Sequence, residues 1–124
     1  MFFLKNEVPT LKQTIDVVAI HGLNGDYETT WTHDGSGKNW LRDFLSDDIP
    51  EVRVMSWGYN AQVLKSKSIG SIESFARGLL IDLKACRSTT ESKERPLVFV
   101  CHSLGGLVFK KVSHGISYIL VECS

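Results

Sequence analysis

The chain has 124 residues, 43% of them hydrophobic and 23% charged, and its 14 Lys+Arg balance its 14 Asp+Glu. That size and balance suit one globular domain and exclude a strongly basic nucleic-acid binder or an acidic disordered segment. No apolar run approaches the ~20 residues of a membrane-spanning helix, and Lys5 and Glu7 interrupt the apolar start before a secretory signal's core can form.

Residues 14–20 are rich in β-branched side chains and stop at His21-Gly22, which predicts a buried strand followed by a turn. Residues 22–39 are polar and rich in Gly and Asn, a long loop. Over residues 39–47, Trp40, Leu41, Phe44 and Leu45 recur at helical spacing, with Asn39 as the predicted N-cap. Pro50 closes that unit. Residues 52–57 read as a second strand and residues 58–70 as another polar loop. Ile72, Phe75, Ala76, Leu79, Leu80 and Leu83 then form one apolar stripe, the signature of an amphipathic helix. Ser71 is its predicted N-cap, and Glu73 lies in the first turn, where the helix dipole favours a negative charge. Residues 86–95 read as a polar connection. Pro96 opens the continuous apolar run of residues 97–101, as expected of a strand covered on both faces. A helix is expected from Gly105. The alternation predicts an α/β fold: a parallel sheet with right-handed crossovers and flanking helices.

Chemistry is concentrated in Val100-Cys101-His102-Ser103-Leu104-Gly105-Gly106-Leu107. A predicted strand, a sharp corner and a predicted helix form the context of a nucleophile elbow. The corner exposes Ser103 at the sheet's carboxyl edge, where the helix N-terminus offers positive partial charge. Crowding demands small residues two before and two after the serine. Gly105 meets this; Cys101 replaces the usual first glycine. The second element is His21-Gly22-Leu23-Asn24-Gly25. Acyl transfer needs backbone N–H groups to meet an oxyanion, and the candidate donors are the amides of Leu104 and Leu23. The plain alternative is that Ser103 is an ordinary small residue in a strand–helix turn.

Together, His21-Gly22-Leu23-Asn24, Trp31, Trp40-Leu41-Arg42-Asp43, Trp57-Gly58-Tyr59-Asn60 and the Ser103 segment resemble the α/β-hydrolase superfamily. More narrowly, they resemble the lipase-like domain of the serine active site-containing protein family of fungal type. The resemblance covers residues 14–111 and implies the front half of an α/β-hydrolase domain. It implies ester or lipid acyl hydrolysis with Ser103 as nucleophile and no cofactor. It further implies association with mitochondrial or endoplasmic-reticulum membranes. Similar domains also stand at the front of fungal nucleotide-binding signalling receptors, so a non-catalytic interaction module is the rival reading.

Hydrolases of this superfamily carry the triad in the order serine, acid, histidine. Only 21 residues follow Ser103, and among them Glu122 is the only acid and His114 the only histidine, in reversed order. His102 adjoins the serine at a tight corner, and His21 lies in the oxyanion-side loop; both are expected to be structural. The sequence thus shows no complete triad, and the chain as it stands is expected to be inactive. Residues 112–124 diverge from the family pattern. Val112-Ser113 can be encoded across an intron donor sequence, which gives the expectation that residues 112–124 are translated intron. Transcript sequencing across those codons tests it, and an abundant message reading straight through would sink it. A third alternative is that the chain is a gene-model fragment that never accumulates.

Other residues read plainly. Gly35-Ser36-Gly37-Lys38 fails as a phosphate loop, because Thr32 stands where the first glycine belongs and Asn39 follows the lysine. Cys86, Cys101 and Cys123 with the histidines show no zinc spacing, so no metal is expected. Their odd, low number suits a reducing, intracellular compartment, cytoplasmic unless the membrane association holds. Trp31, Trp40 and Trp57 are expected as core or pocket-wall residues. Asp26 and Asp34 are expected to be solvated loop residues, and Lys65 and Lys67 a small solvated patch with no nucleic-acid partner. Oligomeric state is left open.

Overall fold

A computed structural model gives the protein's architecture and describes residues 1–5, 14–62, 69–113 and 119–123. The strands are β1 (Phe2–Lys5), β2 (Ile15–Ile20), β3 (Val52–Trp57), β4 (Leu97–Cys101) and β5 (Ile119–Cys123). The helices are α1 (Ser46–Asp48), α2 (Ile69–Cys86), α3 (Thr90–Glu94) and α4 (Gly105–Val112), with a wide turn of π type over Leu41–Leu45 and a tight one over Thr29–Trp31. The five strands form one sheet in the order β1-β3-β2-β4-β5. β3, β2, β4 and β5 run parallel, as expected of strands joined through helices.

The sheet departs from an all-parallel one at its first edge. β1 pairs antiparallel with β3, with Phe2 opposite Ser56, and the register shifts between Phe3 and Lys5. At the other side β4 is not an edge strand, because the backbone of β5 lies beside it, Leu97 opposite Ile119 and Cys101 opposite Cys123. Two expected boundaries also move. α2 begins at Ile69, so Ser71 lies within its first turn rather than capping it. The connection over residues 86–95 contains α3, capped by Thr89, whose side chain accepts from the Ser92 amide.

Alternation along the strands divides the core into two layers. Val18, Ile20, Met55, Trp57, Leu97, Phe99 and Cys101 face α2 and α4, which bring Ala76, Leu79, Leu83, Val108 and Val112. Val17, Ala19, Val52, Val54 and Val100 face the other way, toward Trp31 and Leu41. The α2 stripe read from the sequence is therefore a core face, although Leu80 and Phe75 are only partly buried. Asn39 does cap the wide turn. Its Oδ1 accepts from the Arg42 amide at 3.2 Å, while its own amide donates to Asp43 at 2.9 Å, a reciprocal pair.

The amino ends of the strands carry a buried ion cluster that the sequence reading did not single out. Asp16 and Arg53 are fully buried and joined by two hydrogen bonds, Nε to Oδ1 at 2.8 Å and Nη2 to Oδ2 at 2.7 Å. Arg95 reaches Asp16 Oδ1 at 3.3 Å, and Arg87 stands 3.5 Å from Oδ2. Backbone carbonyls take the remaining donors: Arg53 donates to the Cys86 carbonyl, and Arg87 to those of Ser92, Lys93 and Arg95. This cluster ties β2, β3 and the end of α2 to the α3 segment. Among the described residues, no helix is long and apolar enough to cross a membrane.

Candidate active site

The chain leaves β2 for β3 on one side and later returns to β4 on the other. Between the carboxyl ends of β2 and β4 the sheet therefore has a topological switch point, where diverging loops open a crevice. The loop after β2 carries His21-Gly22-Leu23, and the corner after β4 carries His102-Ser103-Leu104. The two sequence-predicted elements meet there.

Ser103 occupies a left-handed backbone conformation, φ 52°, at an exposed corner between β4 and α4. A non-glycine residue there is strained by about 1–3 kcal/mol. The corner is held by hydrogen bonds around it: the His102 amide donates to the Ile20 carbonyl, Gly105 to His102 and Gly106 to Ser103, each at 3.0 Å. Removing the side chain relieves the strain at the cost of glycine's extra unfolded-state entropy, roughly 0.5–1 kcal/mol. Ser103→Gly is accordingly expected to raise the unfolding free energy by about 1 kcal/mol. Urea denaturation checks this, and a loss of stability would mean the corner is relaxed.

Glycine is required on both sides of the crevice. A Cβ on Gly105 would press on the carbonyl oxygen of Ile20 and come within 2.8 Å of that of His21. A Cβ on Gly22 would lie 2.8 Å from the His102 carbonyl oxygen and 2.9 Å from the Ser103 Cβ. The oxyanion-side loop is thus pressed directly onto the serine corner. It turns tightly, with the Gly25 amide donating to the Gly22 carbonyl at 3.1 Å and Asn24 at φ 62°. The amides of Leu23 and Leu104 donate to no other described residue. Leu104 directly follows Ser103, and Leu23 directly follows Gly22, whose backbone is pressed against the serine corner.

His21 and His102 differ sharply. His21 is 1% exposed and holds backbone on both sides. Its Nδ1 lies 2.9 Å from the Gly22 carbonyl oxygen, and its Nε2 lies 3.4 Å from the Tyr59 amide. Tyr59 stacks on its ring at 4.4 Å and donates its hydroxyl to the His21 carbonyl at 2.7 Å. Burial pushes the Tyr59 phenol up to about 12, with Cys101 adding to the shift, so it is a neutral donor at ordinary pH. His102 is exposed and meets the edge of Trp31. Among the described residues, no histidine or carboxylate is hydrogen-bonded to Ser103. His114, like Lys65 and Lys67, lies outside the described residues, and Glu122 stands in β5 opposite Val100.

The remaining candidates take plain roles. Asp26 accepts from the amides of Glu28 and Thr29, at 2.7 and 2.6 Å, and so anchors the turn over Thr29–Trp31. Hydrogen bonding with Thr29 leads the causes that hold its carboxyl below its usual value, followed on the lowering side by the Glu28 amide and His21. Its modest contribution to stability is present above the ordinary carboxylate range and is lost as pH falls through the lowered value. Asp34 is exposed in the loop. Trp31 and Trp57 are core residues, each 4% exposed, whereas Trp40 is 41% exposed and stands edge-on to Trp31. The Trp31 indole N–H has no partner among the described residues. Tyr59 is the contributor that spacing alone did not single out; its signal is an aromatic residue just beyond a buried strand's carboxyl end. No group of His, Cys, Asp and Glu among the described residues could hold a metal ion.

Comparison with known proteins gives a distant relationship. The chain is 26% identical over 115 residues to Protein SERAC1 of Danio rerio, an alignment covering 78% of this chain and 18% of that protein. It is 28% identical over 117 residues to Protein SERAC1 of Bos taurus and of Homo sapiens, covering 78% of this chain and 17% of each. The chain therefore spans less than a fifth of the length of the curated relatives it matches. No protein-family model matches it. No solved structure matches it either.

Proposed function

We propose that the chain carries the nucleophile side of a serine hydrolase centre of the α/β-hydrolase type, built for ester or lipid acyl groups. One observation carries the reading: Ser103 sits at positive φ on a β4–α4 corner, with the Gly22 backbone pressed against it. An ordinary turn serine gains nothing from that strain. A nucleophile gains a hydroxyl held clear of the sheet at a helix N-terminus.

In the proposed reaction Ser103 Oγ bonds to the acyl carbon as the ester C–O bond breaks, and the alcohol leaves carrying a proton. Water then hydrolyses the acyl-serine to free acid and serine. The carbonyl oxygen takes up negative charge and is met by the Leu23 and Leu104 amides. Each such donor is worth about 10²–10³ in turnover in known cases. The hydroxyl proton passes to a base that is not among the described residues. An oxyanion hole with binding alone leaves roughly 10³–10⁴ over water. The family resemblance extends the reading to a site of action at a mitochondrial or endoplasmic-reticulum membrane.

The second reading is a non-catalytic interaction module, of the kind that fronts fungal signalling receptors. It is favoured by the lack of any hydrogen-bond partner for the Ser103 hydroxyl among the described residues. A fluorophosphonate probe applied to the folded chain separates the two. Covalent labelling that disappears in Ser103→Ala is the expected result. A well-folded chain that takes no label belongs to the interaction class.

A further inference from the structure

His21 is buried, holds the Gly22 and Tyr59 backbones, and has no part in the proton transfer described above. Its two ring nitrogens face groups of fixed character. The Gly22 carbonyl can only accept, so Nδ1 must carry a hydrogen. The Tyr59 amide can only donate, so Nε2 must be bare. Both contacts hold in one species alone, the neutral ring with its proton on Nδ1. The partners are firmly placed: Tyr59 is stacked on Trp57 at 4.7 Å and on His21 at 4.4 Å, and its hydroxyl holds the His21 carbonyl.

The Gly22 carbonyl that Nδ1 holds also closes the turn through the Gly25 amide. That turn contains Leu23 and sets the direction of its free N–H. We infer that His21 is a positioning residue whose neutral Nδ1–H form locks the Gly22–Gly25 turn, so that a second ring proton disengages the Leu23 amide from the crevice.

The physical course is short. A proton on Nε2 points at the Tyr59 N–H, and two donors then face each other. The ring is stacked and enclosed, so it relieves the conflict by moving, and it carries the Gly22 carbonyl with it. The titratable groups around it are Asp26 on the same loop and Tyr59 beyond β3, with Cys101 next to Tyr59 and His102 across from Gly22. Of these, the Asp26 carboxyl is held below its usual value and the Tyr59 phenol is a neutral donor.

The inference rests on Ser103 as nucleophile for its catalytic meaning, but its geometry is testable separately. Nitrogen NMR of the labelled full chain, titrated from about pH 8 to about pH 5, reads the tautomer and the turn together. The expected result is an Nδ1–H ring at the alkaline end, with the Leu23 and Gly25 amide signals moving along His21's own titration. An Nε2–H ring, or amides that ignore the His21 titration, overturns the inference whatever the activity. For function, p-nitrophenyl butyrate hydrolysis is compared in wild type, His21→Phe, His21→Asn and Ser103→Ala. His21→Phe is expected to lower kcat at least tenfold with KM little changed. His21→Asn, which keeps a donor for the Gly22 carbonyl, is expected to recover most of the loss. A folded His21→Phe chain as active as wild type overturns the positioning role. Wild type no faster than Ser103→Ala overturns the hydrolase reading instead and leaves the NMR result to decide the turn.

Discussion

Asp16→Ala is expected to remove about 3–5 kcal/mol of folding stability, the cost of leaving buried charge without its partner. Small domains hold only ~5–15 kcal/mol in total, so the variant is expected to be largely unfolded or to melt far below wild type. The size follows from the imbalance of the cluster. One carboxylate faces the guanidinium groups of Arg53, Arg87 and Arg95, and both Asp16 and Arg53 are fully enclosed. Burial already disfavours the charged form of Arg87, whose pKa is lowered, while Asp16 acts in the opposite direction. Remove Asp16, and like charges face one another with no water to screen them. Asp16→Asn is expected to cost less, since an amide oxygen still accepts from one guanidinium. Urea denaturation of both variants is the check. A loss below about 1 kcal/mol for Asp16→Ala, the range of exposed pairs, would mean that water reaches the cluster.

Gly105→Ala is expected to cost about 2–3 kcal/mol, the upper part of the range for overpacking a tight site. Its new methyl would meet the backbone oxygens of Ile20 and His21, which cannot swing aside as a side-chain tip can. Either α4 lifts from the sheet or the end of β2 is pushed back. Both moves separate the Ser103 corner from the Gly22 turn, so loss of fluorophosphonate labelling is expected with the loss of stability. Thermal melting and labelling of the same sample read both effects. Unchanged melting would show that the corner tolerates a Cβ, and the close packing inferred there would fail.

The parts of this fold that could be read from the sequence are those whose cause is local. β3 and β4 fall at residues 52–57 and 97–101 as expected, because unbroken apolar or β-branched runs between turn signals suit a buried strand. α4 starts at Gly105 for a similarly local reason. β1 and β5 are not legible as strands, since each owes its form to pairing with another strand, β1 with β3 and β5 with β4. α3 reads as connection because it is polar nearly all round, although Thr89 and Ser92 together carry a capping signal. The ion cluster had a visible trace too, in Asp16 and Arg53 standing inside runs read as buried. A charged residue in such a place needs a partner, but one sequence does not say which strands will be neighbours. At the candidate site, Ser103, Leu104, Gly22 and Leu23 were legible as motifs. The locking of the loop by His21 and Tyr59 was not, because it depends on contact between residues 38 positions apart.

The pairing of β2 with β4 has a consequence for the order of events in folding. Ile20 lies opposite Cys101, 81 positions away along the chain, with β3 and α2 formed from the intervening segment. Closing so long a loop is slow relative to local helix formation, and parallel pairing waits on it. The crevice lies at that seam, so neither the Ser103 corner nor the Gly22 turn takes up its final shape before the seam closes. Reactivity at Ser103, followed during refolding, would then time the last long-range step rather than the collapse that precedes it. A nascent chain emerging from the ribosome would stay chemically silent until β4 had docked.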